Sequence, residues 1–134
     1  MFIISWELAP EATTQDSLVG KITIAGGNSI IAEEGVYVDS WLAALTRVAM
    51  VQGDGVVDIP EEGVPLQVSA ANGEIVITFR GNRAMGSTQS FGSALASSVR
   101  QFLQTMQRIP DDGSENPLRP ILADFVRLSS DANP

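Results

Sequence analysis

A chain of 134 residues fits one domain, and its sixteen Asp and Glu against eight Lys and Arg give a formal charge of −8 and a pI near 4.3. With no cysteine and no histidine, it excludes disulfides, thiolate and imidazole metal sites, a cysteine nucleophile and every Ser-His arrangement. The acidity also makes nucleic acid the least suited partner, because phosphate binding needs a basic face.

The opening run Met1-Phe2-Ile3-Ile4-Ser5-Trp6-Glu7 has no basic leader region. Nowhere does the chain reach the roughly 18 apolar residues that span a bilayer. The expectation is a soluble, cytoplasmic protein with no membrane partner. Phe2, Ile4, Trp6 and Leu8 alternate with Ile3, Ser5 and Glu7, which predicts a half-buried strand up to Ala9-Pro10. Residues 11 to 17 carry no pattern. Alternation resumes from Leu18 to Ala25, Gly26-Gly27-Asn28 signals a hairpin, and Ser29 to Ala32 is the returning strand of a three-stranded meander.

From Glu33 the period changes. Val38, Trp41, Leu42, Leu45, Val48 and Ala49 fit one stripe of a helix that stops at Gly53, with Asp39 or Ser40 as its N-cap. Val56 to Ile59 then lies between two breaker clusters, Gln52-Gly53-Asp54-Gly55 and Pro60-Glu61-Glu62-Gly63, and reads as an edge strand guarded by proline and charge. Val64, Leu66, Val68 and Ala70 alternate up to Asn72-Gly73, the dipeptide of a type I′ turn, and Ile75, Ile77 and Phe79 continue on the far side.

After the breakers Gly81, Asn82 and Gly86, the residues Phe91, Leu95, Val99, Phe102, Met106 and Ile109 recur at helical spacing until Pro110. Gly92, Ser93, Ala94, Ala96 and Ser97 keep the first half of that helix slender, which permits close approach of a neighbour. A polar connector from Asp111 to Asn116 leads to a last helix that starts at Asn116-Pro117 or at Pro120 and carries Leu118, Ile121, Leu122, Phe125 and Leu128. Residues 129–134 are expected to fray. The pattern predicts a single α+β domain in the order βββ-α-βββ-αα. Its mainly antiparallel sheet of about six strands has the helices on one face, and the long helix lies on Ile75, Ile77 and Phe79.

Three acidic clusters stand out: Glu33-Glu34 with Asp39, Asp58 with Glu61-Glu62, and Asp111-Asp112 with Glu115. The last lacks the ligand order and the closing glutamate of a calcium loop, so no metal site is predicted. Gly81-Asn82-Arg83-Ala84-Met85-Gly86-Ser87, ahead of a helix, is the one stretch with the form of an anion cradle, with Arg80 and Arg83 beside it and Ser87 within it. It has neither the Gly-Lys-Ser/Thr of a phosphate loop nor dinucleotide-binding spacing, and no cofactor follows from it. Its plainer reading is a β–α connector with arginines paired to local acids. Lys21 is the single lysine and falls in a strand, facing water.

These features favour a small acidic binding module that sequesters or regulates a basic protein partner, in the manner of an inhibitor, immunity protein or antitoxin. The partner-facing candidates are Glu33, Glu34, Tyr37, Asp39, Trp41, Glu61 and Glu62, although a cap is the plainer role for Asp39 and the core for Trp41. One alternative is a ligand-binding or enzymatic domain using Arg80 and Arg83 with a carboxylate such as Asp39 or Glu34. Another is a homo-oligomer subunit, which would show an exposed apolar patch. With no nucleophile and base in any known arrangement, the sequence leans away from an enzyme and names no catalytic residue.

Overall fold

Two antiparallel sheets form in the computed structural model, which describes residues 1–14, 17–109 and 116–131. The first has the order β1-β2-β3, built from β1 (Phe2–Leu8), β2 (Val19–Gly26) and β3 (Ser29–Tyr37). The second has the order β4-β5-β6-β7, from β4 (Gly53–Val57), β5 (Leu66–Ala71), β6 (Glu74–Phe79) and β7 (Asn82–Ser87). Helix α1 (Val38–Val48) follows the first sheet, and α2 (Thr88–Met106) and α3 (Arg119–Asp131) follow the second. The chain is α+β as its patterns predict, with seven strands among the described residues in place of six and two sheets in place of one. The expected connector at Asp111–Glu115 lies outside the described residues, as does the tail beyond Asp131.

The change of period after Ala32 is a bulge, so β3 continues past the point where alternation breaks. Lys21 pairs with Glu34 and Gly20 with Val36, which leaves Gly35 as the extra residue at φ +67°. The phase shift returns Val36 to the core. Helix α1 then starts directly from β3 at Val38, whose N–H is taken by the Leu18 carbonyl at 3.0 Å. The expected cap is therefore corrected: the N-cap position is Tyr37 with no side-chain bond, and Asp39 and Ser40 lie inside the first turn.

Strand β7 corrects the expected loop at Gly81–Gly86. Arg80 (φ 50°) and Gly81 (φ 85°) form a two-residue turn with both angles positive, as in type I′, and Phe79 pairs with Asn82 across it. Gly86, which looks like a breaker, is room for an aromatic ring: a Cβ there would sit 3.0 Å from Phe2 Cε2. A Cβ on Gly26 would meet the Met85 carbonyl oxygen at 2.6 Å, so β7 runs close against the end of the first sheet.

One contiguous core joins both sheets and all three helices. Trp41 of α1 meets Phe79 of β6 edge to face at 4.8 Å. The α2 stripe Phe91, Leu95, Val99, Phe102 and Met106 is buried as its spacing predicts. Its ring partners, however, are on β1 and not on the adjacent hairpin: Phe91 meets Phe2 at 5.2 Å and Phe102 meets Trp6 at 5.1 Å. Each sheet keeps its outer face open, with Ile3, Lys21, Ile30 and Glu34 exposed on the first and Val56, Gln67, Ser69 and Arg83 on the second. Among the described residues no helix is long and apolar enough to cross a membrane.

Candidate functional site

Four of the residues singled out from the sequence converge at the β6–β7 turn. The left-handed backbone at Arg80 directs its guanidinium to Glu62 (Nη2 to Oε2, 3.1 Å) and to Glu33 on β3 (Nη1 to Oε1, 3.8 Å). The same guanidinium lies 5.1 Å from the Phe79 ring centroid, in the position of a cation–π contact. Glu62 Oε1 accepts a hydrogen bond from Trp41 Nε1 at 3.3 Å. With two carboxylates on one guanidinium the cluster carries net negative charge. Arg80 is thus neutralised by its own chain, and it clamps the loop between β4 and β5 against the first sheet.

The anion cradle does not form, for two physical reasons. First, β7 stands where a loop was expected, and a strand of about 3.3 Å per residue carries Arg80 roughly 20 Å from the start of α2. Second, the N–H groups at that start are used internally: Thr88 N–H donates to the Gly73 carbonyl (2.9 Å) and Ser90 N–H donates to Ser87 Oγ (3.0 Å). Ser87 is the N-cap of α2. Arg83 pairs in register with Thr78 and is exposed, apart from both Arg80 and Ser87.

Asp39 and Trp41, considered as partner-facing, are inside the molecule. Trp41 is fully buried against Phe79. Asp39 is buried at the α1–α3 junction, where its Oδ2 accepts from Asn116 Nδ2 at 3.1 Å and its Oδ1 has no hydrogen-bond partner among the described residues. Burial pushes its carboxyl above the ordinary aspartate value, and the Asn116 amide with the Ser40 and Asp39 backbone amides pulls part of the way back. Asn116 Oδ1 in turn accepts from Leu118 N–H at 2.8 Å, so the pair anchors the approach to α3. Glu34, Tyr37 and Glu61 remain exposed. Among the described residues no three carboxylates gather into a group that could hold a metal ion.

Two of the open concavities lie on the sheet faces. One of about 250 Å³ lies beside the Glu7–Lys21–Glu34 row, where the strand register sets Lys21 opposite both acids and its ammonium pairs with Glu7 at 3.5 Å. The other, about 500 Å³, is the outer face of the second sheet around Asp54, Val56, Gln67, Ser69, Val76 and Thr78. The register aligns Val56, Gln67, Thr78 and Arg83 in one cross-strand row and Asp54, Ser69, Val76 and Met85 in the next. The alternation of β5 and β6 held the signal for this polar face, but it gave no reason to single the face out. No family model, curated protein or solved structure matches the chain.

Proposed function

We propose that the chain is an acidic protein-binding module that sequesters or regulates a basic partner. The observation that supports this reading is how the charges are used. Lys21 pairs with Glu7, Arg80 with Glu33 and Glu62, and Arg127 with Asp124, so these three cations are occupied at home. Glu11, Glu34, Asp54, Asp58, Glu61 and Glu74 are exposed with no ion pair among the described residues. A surface of that sign attracts and orients a basic protein over a Debye length of roughly 8 Å at physiological ionic strength. The ligand-site alternative is weakened by the same geometry, because its best cation, Arg80, is already held by two carboxylates.

The test is affinity capture from the source cell with the immobilised chain at low salt, run beside a variant carrying Glu34→Lys, Asp58→Lys and Glu61→Lys. The expected result is a basic protein retained by the native chain, lost on charge reversal, whose association slows as salt rises. Background proteins alone at low salt, or a retained protein indifferent to the reversal, would overturn the reading.

A further inference from the structure

We propose that the free edge of β4 takes up an extended, basic segment of the partner as a fifth strand of the second sheet. The inference rests on the acidic-module reading above and names the surface and the form of ligand.

It starts from the strand order, in which β4 is outermost beside β5. The two-residue turn at Asn72-Gly73 makes Ala71 and Glu74 the closing hydrogen-bonded pair of the β5–β6 hairpin. Hydrogen-bonded pairs alternate along an antiparallel ladder, so Ala70, Val68 and Leu66 point their main-chain groups the other way, to Gly53, Gly55 and Val57. The residues between, Asp54 and Val56, therefore direct their N–H and C=O groups away from the sheet. That is the pattern of backbone donors and acceptors that an added strand reads.

The opposite outer edge of the fold shows what a closed edge looks like. There β1 is outermost, and α2 covers it: Phe2 N–H donates to Ser90 Oγ at 2.7 Å, and Ser98 Oγ donates to the Ile4 carbonyl. No side chain is placed in that way along β4 among the described residues. Its neighbour Val51 packs under Gly55 and leaves Val56, 65% exposed, on the outer face.

Side chains state what the added segment must carry. Asp54 lies on the strand, and Asp58 and Glu61 follow in the segment that leaves it. Arg47 is engaged through Nη2 with the Asp58 carbonyl at 3.3 Å and Arg80 with Glu62, so neither pairs with the Asp54, Asp58 or Glu61 carboxylate. The residues opposite Asp54 and Val56 share their outer face, so lysine or arginine there meets the acids and lays its apolar stem along Val56 and the 500 Å³ concavity, while the small residues between turn to the other face. A second copy of this chain is the poorer occupant, since edge pairing would bring Asp54, Asp58 and Glu61 of two chains of charge −8 together.

Two seven-residue probe peptides of equal charge separate strand addition from simple attraction: acetyl-Lys-Val-Arg-Val-Lys-Thr-Lys-amide, and the same peptide methylated on the backbone nitrogens of its Lys and Arg residues. The methylated peptide keeps the cations but lacks the N–H groups that would face Asp54 and Val56. In titrations of the ¹⁵N-labelled 134-residue chain at low salt, the first peptide is expected to slow exchange of the Asp54 and Val56 amides. It should also bind about tenfold or more tightly than the second. Asp54→Lys should remove that preference, and so should Val56→Pro, in which the lost N–H is the outward one that an edge strand tolerates losing. Equal binding of both peptides, with shifts on Glu34 and Glu74 and none on β4, overturns the edge proposal and leaves the acidic module standing. No shift with either peptide overturns both. Self-association through β4 without peptide, seen by light scattering, overturns the proposal in favour of a second copy.

Discussion

The two outermost strands of this protein end their sheets in opposite ways. Along β1, the slender first half of α2 comes close enough for two serine hydroxyls to reach the main chain, one accepting from Phe2 N–H and one donating to the Ile4 carbonyl, while Trp6 Nε1 donates to the Ser98 carbonyl at 3.0 Å. Along β4, a five-residue strand with two glycines and one aspartate ends at a proline-bearing turn, and among the described residues no helix side chain bonds to its outward main-chain groups. Both solve the problem of an open edge. The first removes the free groups; the second shortens and charges the strand and leaves the groups in place. Of these two edges, only that of the second sheet leaves outward main-chain groups to which a strand could be added.

The comparison breaks most completely if α2 is pulled from β1. Phe102 is fully buried and holds Trp6 edge to face, so Phe102→Ala is expected to cost about 3–5 kcal/mol in urea denaturation, with β1 amides losing their slow exchange. An unchanged midpoint would remove Phe102 from the core. Next in size is Ser98→Ala, which leaves the buried Ile4 carbonyl without its donor and should cost about 1–3 kcal/mol. Its exposed neighbour Ser97→Ala should stay within about 0.5 kcal/mol.

Asp39→Asn is a control that moves stability without touching either edge. Burial raises the Asp39 pKa in the folded state, so the folded chain keeps a proton over a pH window in which the unfolded chain has already lost it. Stability from this group is thus full below the ordinary aspartate pKa, falls as pH rises towards the raised value, and is flat above it. The asparagine variant should lack that fall, and so be more stable than the native chain at pH 7, with edge exchange rates unchanged. A native profile with no fall through that window would contradict the assignment. Smallest of all, Asp54→Asn should shift stability by no more than about 0.5 kcal/mol, and the Asp54 and Val56 amides should exchange far faster than that of Phe2.

Much of this architecture is legible in the sequence wherever side-chain period and turn chemistry agree. The α2 stripe and the Asn72-Gly73 hairpin are where their patterns put them; an edge strand ahead of Pro60 also forms, but it spans Gly53–Val57 in place of Val56–Ile59 and takes in the glycines that read as breakers. Strand β7 is illegible because its residues have little preference for extended structure. It is a strand because the Arg80-Gly81 turn hands it to β6 and because Phe2 needs the space at Gly86. The bulge at Gly35 hides the end of β3 by breaking alternation within a continuous strand. The destination of α2 is illegible for a different reason: a periodic stripe tells which side of a helix is buried and nothing about which strand it meets. Of the site residues, Arg80, Glu33, Glu62 and Trp41 were visible singly. Their convergence was not, since it depends on the β6–β7 turn and on the packing of β7 against β3.

The seal on β1 also has a consequence for how the chain is made. Its closing bonds join residues 88, 92 and 94 positions apart in sequence. At about 5–20 residues per second, the first strand of a growing chain waits roughly 4 to 18 seconds before the helix that will seal it has been synthesised. Until then the outward main-chain groups of Phe2 and Ile4 lack the serine hydroxyls that close this edge in the finished fold.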